Sequence, residues 1–519
     1  MRSVIRIRKD ARGGVSFTGP PPIIFFCYAI SMEKNPYHPT TQWKSLIPNI
    51  DSVLKEIDKS HILAIGITPF TRIIPAFFLK NFSIYTIKRS SDVDVMESIA
   101  NMYVLEDHYP KLVNKVHGTG YLLANFAFQR FLHTRRYPVS LLFYTVTEKI
   151  VQTLKTQGTK WIGNDPATFE QVMLKGSFRE LVRERGLSSL PSKLYDRKEF
   201  LAQSFEALRE ENEGAYVVQR ADKETGGNEG TFFIHETSDF EKCISVLTKD
   251  ESFTRVIVTP FIKGQSTSML GCVMPQGTLS GPLQLQLIDV SEALHGVPAN
   301  GIFFGNDIGF HEWSEDIEKQ AQIVVESIGE HLRNKGYKGV FGIDFLYDKE
   351  RDRIYPNECN PRFTGSLVLY SLTMLEAGVP PLEFFHLVSH LHIPMEFDFE
   401  KVNQALKTRL AYSHIAISPK DILKMKLPLL AGVYEYNPEL NDLSYEGPGT
   451  SLADIKNKNQ FMLIDTVAKV DSEIEQSVPR LFKFIFPRSI AKSSYEIDEQ
   501  AAFLLERFST ALINASRTN

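Results

Sequence analysis

Residues 339–366, GVFGIDFLYDKERDRIYPNECNPRFTGS, constrain this chain more than any other stretch. The run 340–347 is mostly apolar and rich in β-branched and aromatic residues, the six residues 348–353 are all charged, and 354–360 makes a return arm. That pattern spells a β-hairpin. Asp344 is the one charge in the first arm, set between Ile343 and Phe345. Folding the hairpin about Arg351 places Asp344 opposite Glu358. Glu358 and Asn360 are two apart, so they share a face.

Two carboxylates this close repel each other unless something neutralises them. A hard cation does so with oxygen donors of this kind, taking water and phosphate oxygens for the rest of its shell. Arg362 follows at once and can grip an anion at two points. The alternative is a solvated, salt-bridged hairpin. The position of Asp344 weighs against it, because a buried unpaired charge is costly. Cys359, between the two candidate ligands, points to the other face and is read as a small core residue.

GIDFLYD followed by ECNPRFTGS resembles the terminal metal-binding hairpin of the ATP-grasp superfamily, and the resemblance spans roughly residues 60–390. It implies that Asp344, Glu358 and Asn360 hold Mg²⁺, or Mn²⁺, against the phosphates of ATP. It also implies that Arg362 is catalytic. LKGSFRELVRERGL is similar to the family segment whose basic residue reaches the phosphates, which assigns Lys175 to the nucleotide. Between YVVQR and TFFI lies a loop with Gly226, Gly227 and Gly230, resembling the glycine loop that closes over ATP. Glycines there let backbone N–H groups approach phosphate oxygens. Gln219 stands where the family usually has a Lys; it keeps a donor but lacks the charge. On that reading a Lys at 219 tightens nucleotide binding. VIVTPFIKGQSTS resembles the adenine hinge, read by the backbone of Thr259 through Phe261 and Ile262. Many members carry acids where this chain has Thr259 and Ser266.

The expected architecture is α/β and α+β. An N-terminal extension (1–59) precedes a parallel pre-ATP-grasp α/β domain (60–165). A two-lobed ATP-grasp domain (166–395) and a small α+β C-terminal domain (396–519) follow. In the first domain, strand and helix patterns alternate, as a covered parallel sheet requires. Residues 167–186 read as one helix ending at Gly186. Gln284 and Gln286 share a strand face, turned either to the reacting carboxylate or to solvent. Residues 312–335 form a long helix with Ile317, Ala321, Val324, Val325, Ile328 and Leu332 at core spacing. Residues 366–378 and 498–513 read as helices. So do residues 472–486, with a break at Pro479.

Net charge is −4 over 519 residues, with no basic excess for nucleic acid or an anionic membrane. No apolar run approaches the roughly 20 residues of a membrane helix. Residues 23–30 are read as a buried strand rather than a signal sequence, with the first dozen residues loose. The four cysteines lack metal-ligand or disulfide spacing, which fits a reducing cytoplasm. The function expected is a ligase that activates a carboxylate with MgATP and joins it to an amine or similar nucleophile. Its partners are then small molecules, and a homodimer is expected on general grounds. The alternatives are a nucleotide-binding protein without catalysis, or carboxylation of the biotin carboxylase kind. No biotin-acceptor segment is visible.

Overall fold

The computed structural model describes residues 6–9, 15–18, 41–116, 118–222, 230–294, 301–418, 425, 428–469 and 481–517. Residues 23–30 lie outside these, while Arg6–Lys9 pairs with Val15–Thr18 as a short antiparallel hairpin rather than lying loose.

The first sheet has five parallel strands in the spatial order 101–104, 82–86, 61–65, 139–142, 160–162. The chain starts in the middle strand, builds outward on one side, then returns to build the other. The crevice at that reversal lies between His61–Ile65 and Val139–Leu142. In open α/β sheets, ligands bind at such a point, beyond the carboxyl ends of the strands.

The second sheet has four antiparallel strands: Thr231–Ile234, Tyr216–Arg220, Arg255–Pro260 and Lys193–Asp196. Helices Phe205–Glu211 and Thr237–Lys249 cover one face with a core of Tyr216, Val218, Phe240 and Leu247. Val217 and Gln219, on the alternate positions, belong to the opposite face.

A third sheet of eleven strands carries the hairpin. It runs from Arg353–Asn360 through Gly339–Asp348, Gln265–Met274, Gln284–Ile288 and Phe303–Asp307. Beyond residue 396 it continues without a break, because Ser413–Ala416 pairs with Phe303–Asp307. The later strands are Lys483–Phe486, Gln460–Ile464, Gly432–Asn437 and Asp442–Gly447. Residues 483–486 are therefore strand where a helix was expected. The run KFIF is apolar and β-rich, and pairing on both sides overrides helical spacing. The C-terminal helix, Glu499–Arg517, forms as expected.

Two cores sandwich the hairpin part of this sheet. On one face lies helix Glu315–Asn334, and all six residues of its expected core stripe are buried. Cys359 packs there too. The other face meets the first domain and helices Leu367–Glu376 and Leu382–Leu391.

Candidate active site

The hairpin closes with Asp344 opposite Glu358 and Gly342 opposite Asn360. The turn end has a different register: Asp348 faces Arg353 and Phe345 faces Pro356. Asn357 is the extra residue of a bulge between the two registers. Without it, Asp344 would face Asn357 and Glu358 would turn to the opposite side of the sheet. The bulge therefore sets the acid pair.

Asp344 accepts hydrogen bonds from Gln286 Nε2 (2.8 Å) and from Asn360 Nδ2 (2.8 Å). Burial and the neighbouring Glu358 push its carboxyl up to about 7, against the opposing pull of Arg362 and Lys175. Asn360 in turn accepts from Arg362 Nη2 (2.8 Å). Arg362 lies over the Tyr144 ring, and Arg72 packs over the same ring, at 6.0 and 5.7 Å. Tyr144 follows the strand Val139–Leu142, so the crevice of the parallel sheet opens onto Arg362. The backbone joins them as well: Phe363 N donates to Tyr144 O (3.2 Å).

Glu358 is ion-paired to Lys175. Lys175 is well placed for this because the expected helix over 167–186 is two helices, Glu170–Met173 and Lys175–Glu184. Leu174 between them is extended (φ −87°, ψ 129°). The break leaves the N-terminal N–H groups of the second helix without intrahelical partners. Ala221 O accepts one of them, from Gly176 N (2.8 Å). That contact ties the helix to the end of the strand Tyr216–Arg220, where the glycine loop starts.

Gln219 is buried and donates to Thr231 Oγ1 (3.2 Å). It accepts from Arg179 Nη2 (3.3 Å), which also donates to Asn357 Oδ1 (3.0 Å). Arg220 points the other way, as strand alternation requires, and pairs with Asp250 (2.9 Å). Gly230 O accepts from Arg220 N (3.1 Å); Gly226 and Gly227 lie outside the described residues.

The segment after Arg255–Pro260 leaves the second sheet and enters the third at Gln265. Gly264 is needed in this link, since a Cβ would lie 2.6 Å from Tyr347 O. Thr259 is buried with its hydroxyl unpartnered. Phe261 is exposed, and its N–H is already given to Ala215 O (2.8 Å). Of the hinge backbone proposed for adenine, that donor is taken, and Ile262 is partly exposed. Ser266 N donates to Ser494 Oγ (2.8 Å), so a C-terminal segment packs on this strand.

The structure thus brings Asp344, Glu358, Asn360, Arg362 and Lys175 together. Gln219 joins them through Arg179 and the bulge residue Asn357. Thr259 lies in the strand Arg255–Pro260, opposite Val217, and Phe261 and Ile262 lie on the link that follows it. Sequence reading missed Arg179 and Asn357. The signal for Arg179 was present: it is four residues from Lys175 and so shares its helix face. Gln286 faces the acid pair, and Gln284 is buried with both amide atoms unpartnered, which rules out a solvent face for the two.

The donors fit a hard divalent cation: two facing carboxylates and an amide oxygen on one face of the hairpin. Among the described residues no group of three or more His, Cys, Asp or Glu side chains offers another metal centre. No described helix is long and apolar enough to cross a membrane.

Residues 202–366 match the family described as ATP-grasp domain. No curated protein matches the chain by sequence. Among solved structures, biotin carboxylase from Campylobacter jejuni, in a β-γ-ATP complex, is similar at a TM-score of 0.54 and 12% identity. The match covers 86% of this chain and 89% of that one. The biotin carboxylase domain of 2-oxoglutarate carboxylase from Hydrogenobacter thermophilus, a dimer with MgADP, ADP and bicarbonate, gives 0.53 and 11%, covering 82% and 86%. Carboxyaminoimidazole ribonucleotide synthase from Aspergillus clavatus, complexed with ATP, gives 0.47 and 12%, covering 88% and 99%. For the two biotin carboxylase structures, at these identities, the likeness is one of fold. With the family match inside that shared fold, this chain carries an ATP-grasp domain, set behind a parallel α/β domain of the pre-ATP-grasp kind.

Proposed function

We propose that this protein is an ATP-dependent ligase that activates a carboxylate as its acylphosphate and joins it to an amine or similar nucleophile. One observation carries the reading: an acid pair with its amide, Asp344, Glu358 and Asn360, is flanked on one side by Lys175 and on the other by Arg362. Clustered acids bounded by cations suit a polyphosphate held through a metal better than they suit a structural role.

Asp344, Glu358 and Asn360 are the residues that would hold Mg²⁺. When bound, Mg²⁺ offsets charge on the nucleotide phosphates. Gln286 and Asn360 fix the orientation of Asp344 through the two bonds described above. Lys175 carries a positive charge at the acid pair that turns to phosphate oxygens when Glu358 finds another partner. Arg362 faces the crevice of the first domain, where it stabilises charge that develops on the transferred group. In the reaction, a carboxylate oxygen attacks the γ-phosphorus and the bond to the β-phosphate oxygen breaks, leaving ADP and an acylphosphate. The amine nitrogen then attacks the acyl carbon, phosphate leaves, and the amine proton passes to solvent.

Thr259, Phe261, Ile262, Gly226, Gly227 and Gly230 complete the nucleotide side of the proposal, with Gln219 as an uncharged contact. The bounds 1–59, 60–165, 166–395 and 396–519 remain the proposed division of the chain, and a small-molecule acid and amine its proposed partners.

The test is calorimetric titration of MgATP into the wild type and Glu358→Gln, followed by ADP release with pooled carboxylates and amines. Binding by the wild type that is much weakened in the variant, and ADP release that needs both substrates, is the expected result. ADP release with bicarbonate alone would move the reading to carboxylation. Binding without turnover on any substrate would leave a nucleotide-binding protein.

A further inference from the structure

Arg179 is a buried cation with no counter-ion. It is 2% exposed, one helical turn after Lys175. Lys175 is ion-paired to Glu358, but Arg179 touches only neutral oxygens, Gln219 Oε1 and Asn357 Oδ1, and both through Nη2. Its Nε and Nη1 are buried and unpartnered. Among the described residues it is the one arginine with two such donors. Arg220, also buried, is paired with Asp250 at 2.9 Å, and the partly buried Arg409 with Glu318 at 3.0 Å and with three backbone carbonyls. Burial, and after it the like charge of Arg183, brings the guanidinium down to about 10.

A guanidinium sealed from water without an anion is costly, because its desolvation is not repaid. It is held here by two groups that belong to different sheets. Gln219 is next to last in the strand leading to the glycine loop, and Asn357 is the bulge residue that sets the acid pair. The unfilled donors therefore lie between the loop-bearing strand and the metal hairpin.

We propose that Arg179 binds the phosphates of the nucleotide through Nε and Nη1, so that the positive charge missing at Gln219 is delivered from the helix. This rests on the nucleotide reading of the site. Gln219 then has a role of its own. It accepts from Arg179, donates to Thr231, and is neutral because an ammonium there would stand beside a guanidinium. The expectation that Gln219→Lys tightens binding reverses: the substitution weakens binding while Arg179 is present and helps only where it is absent.

The experiment is calorimetric titration of ADP, with Mg²⁺ in the buffer, into the full chain. The variants are Arg179→Met, Arg179→Lys, Gln219→Lys and the double Arg179→Met/Gln219→Lys, each first checked for a cooperative melt. Arg179→Met should weaken ADP at least tenfold, and Arg179→Lys should recover part of that loss. Gln219→Lys should weaken ADP in the wild-type background and strengthen it in the Arg179→Met background. Wild-type affinity in Arg179→Met, or an equal tightening by Gln219→Lys in both backgrounds, overturns the inference alone. If Arg179→Met does not fold, Gln219→Lys alone decides: tightening overturns the assignment and weakening supports it. A wild type that binds neither ADP nor ATP overturns the nucleotide reading and this inference with it.

Discussion

Two β-hairpins meet at the helix Lys175–Glu184, and they hold charge in opposite ways. The hairpin of Gly339–Asp348 and Arg353–Asn360 contains its own chemistry. Its acids face each other within one register, and its amide and Arg362 lie within four residues of Glu358. The hairpin of Tyr216–Arg220 and Thr231–Ile234 presents a neutral residue, Gln219, to the cleft and turns its one charge, Arg220, into a structural pair with Asp250. Its functional cation is borrowed from the helix. A site built by local pairing is complete in the element that carries it. One built by packing depends on a neighbour that strand spacing does not reveal.

The largest expected effect tests the self-contained hairpin. Glu358→Gln should lower nucleotide-dependent turnover on the order of 100-fold, with an unchanged far-UV circular dichroism spectrum. Asp344→Asn should lose turnover similarly yet melt at a higher temperature, since one of two facing, repelling carboxylates is removed. A lower melting temperature in Asp344→Asn would show that its two accepted hydrogen bonds outweigh the repulsion.

The two arginines of the borrowed site come next. Arg220→Met removes the ion pair of Asp250, whose carboxylate is 21% exposed and still accepts from Ser252 N (2.9 Å), and denaturant unfolding should register a loss of about 2 kcal/mol. Arg179→Met should cost clearly less, because no acid loses its partner. Equal losses would erase the distinction between a structural and a ligand-facing arginine.

Gly264 joins the two regions. A methyl group there meets Tyr347 O, so Gly264→Ala should destabilise by about 1–3 kcal/mol and loosen the link between the sheets. Increased protease cutting near residues 261–264 would report the second effect.

The smallest effect concerns the helix beneath the metal hairpin. Glu383, buried and hydrogen-bonded by Ser371 Oγ, is pushed up to about 8 by burial. A carboxyl raised in the folded state supports the fold fully below its unfolded value, near 4.5, and that support is lost as pH rises through about 8. From about pH 6 to about pH 9 the wild type should lose a few degrees of melting temperature relative to Glu383→Gln. Parallel pH profiles for the two proteins would place the titration elsewhere.

Much of this fold was legible because it is written in short-range pattern. Alternation and turn composition located the hairpin of the acid pair, and 3.6-residue spacing located the helix Glu315–Asn334 with its whole buried stripe. Both are governed by which residues fall on one face of a single element. The same logic placed Cys359 in the core and Arg220 away from Gln219. The acid pair was found with a hairpin centred on Arg351, although the turn-end register differs. The bulge at Asn357 restores the pairing where it matters, and no residue pattern announced it.

What only tertiary structure decided has a common cause: the partners are distant in sequence. The break at Leu174 exists because Ala221 O, on another element, accepts Gly176 N. Residues 483–486 are a strand because two neighbouring strands supply the hydrogen bonds. The strands after residue 396 extend the hairpin's own sheet because Ser413–Ala416 meets Phe303–Asp307. Arg179 joins the site because helix packing brings it to Gln219, 40 positions away. By itself the sequence determined the donor set of the hairpin, since pleat and register act within a few residues. The cation that faces Gln219 was decided by packing, since only the folded chain determines which side chains lose their water together.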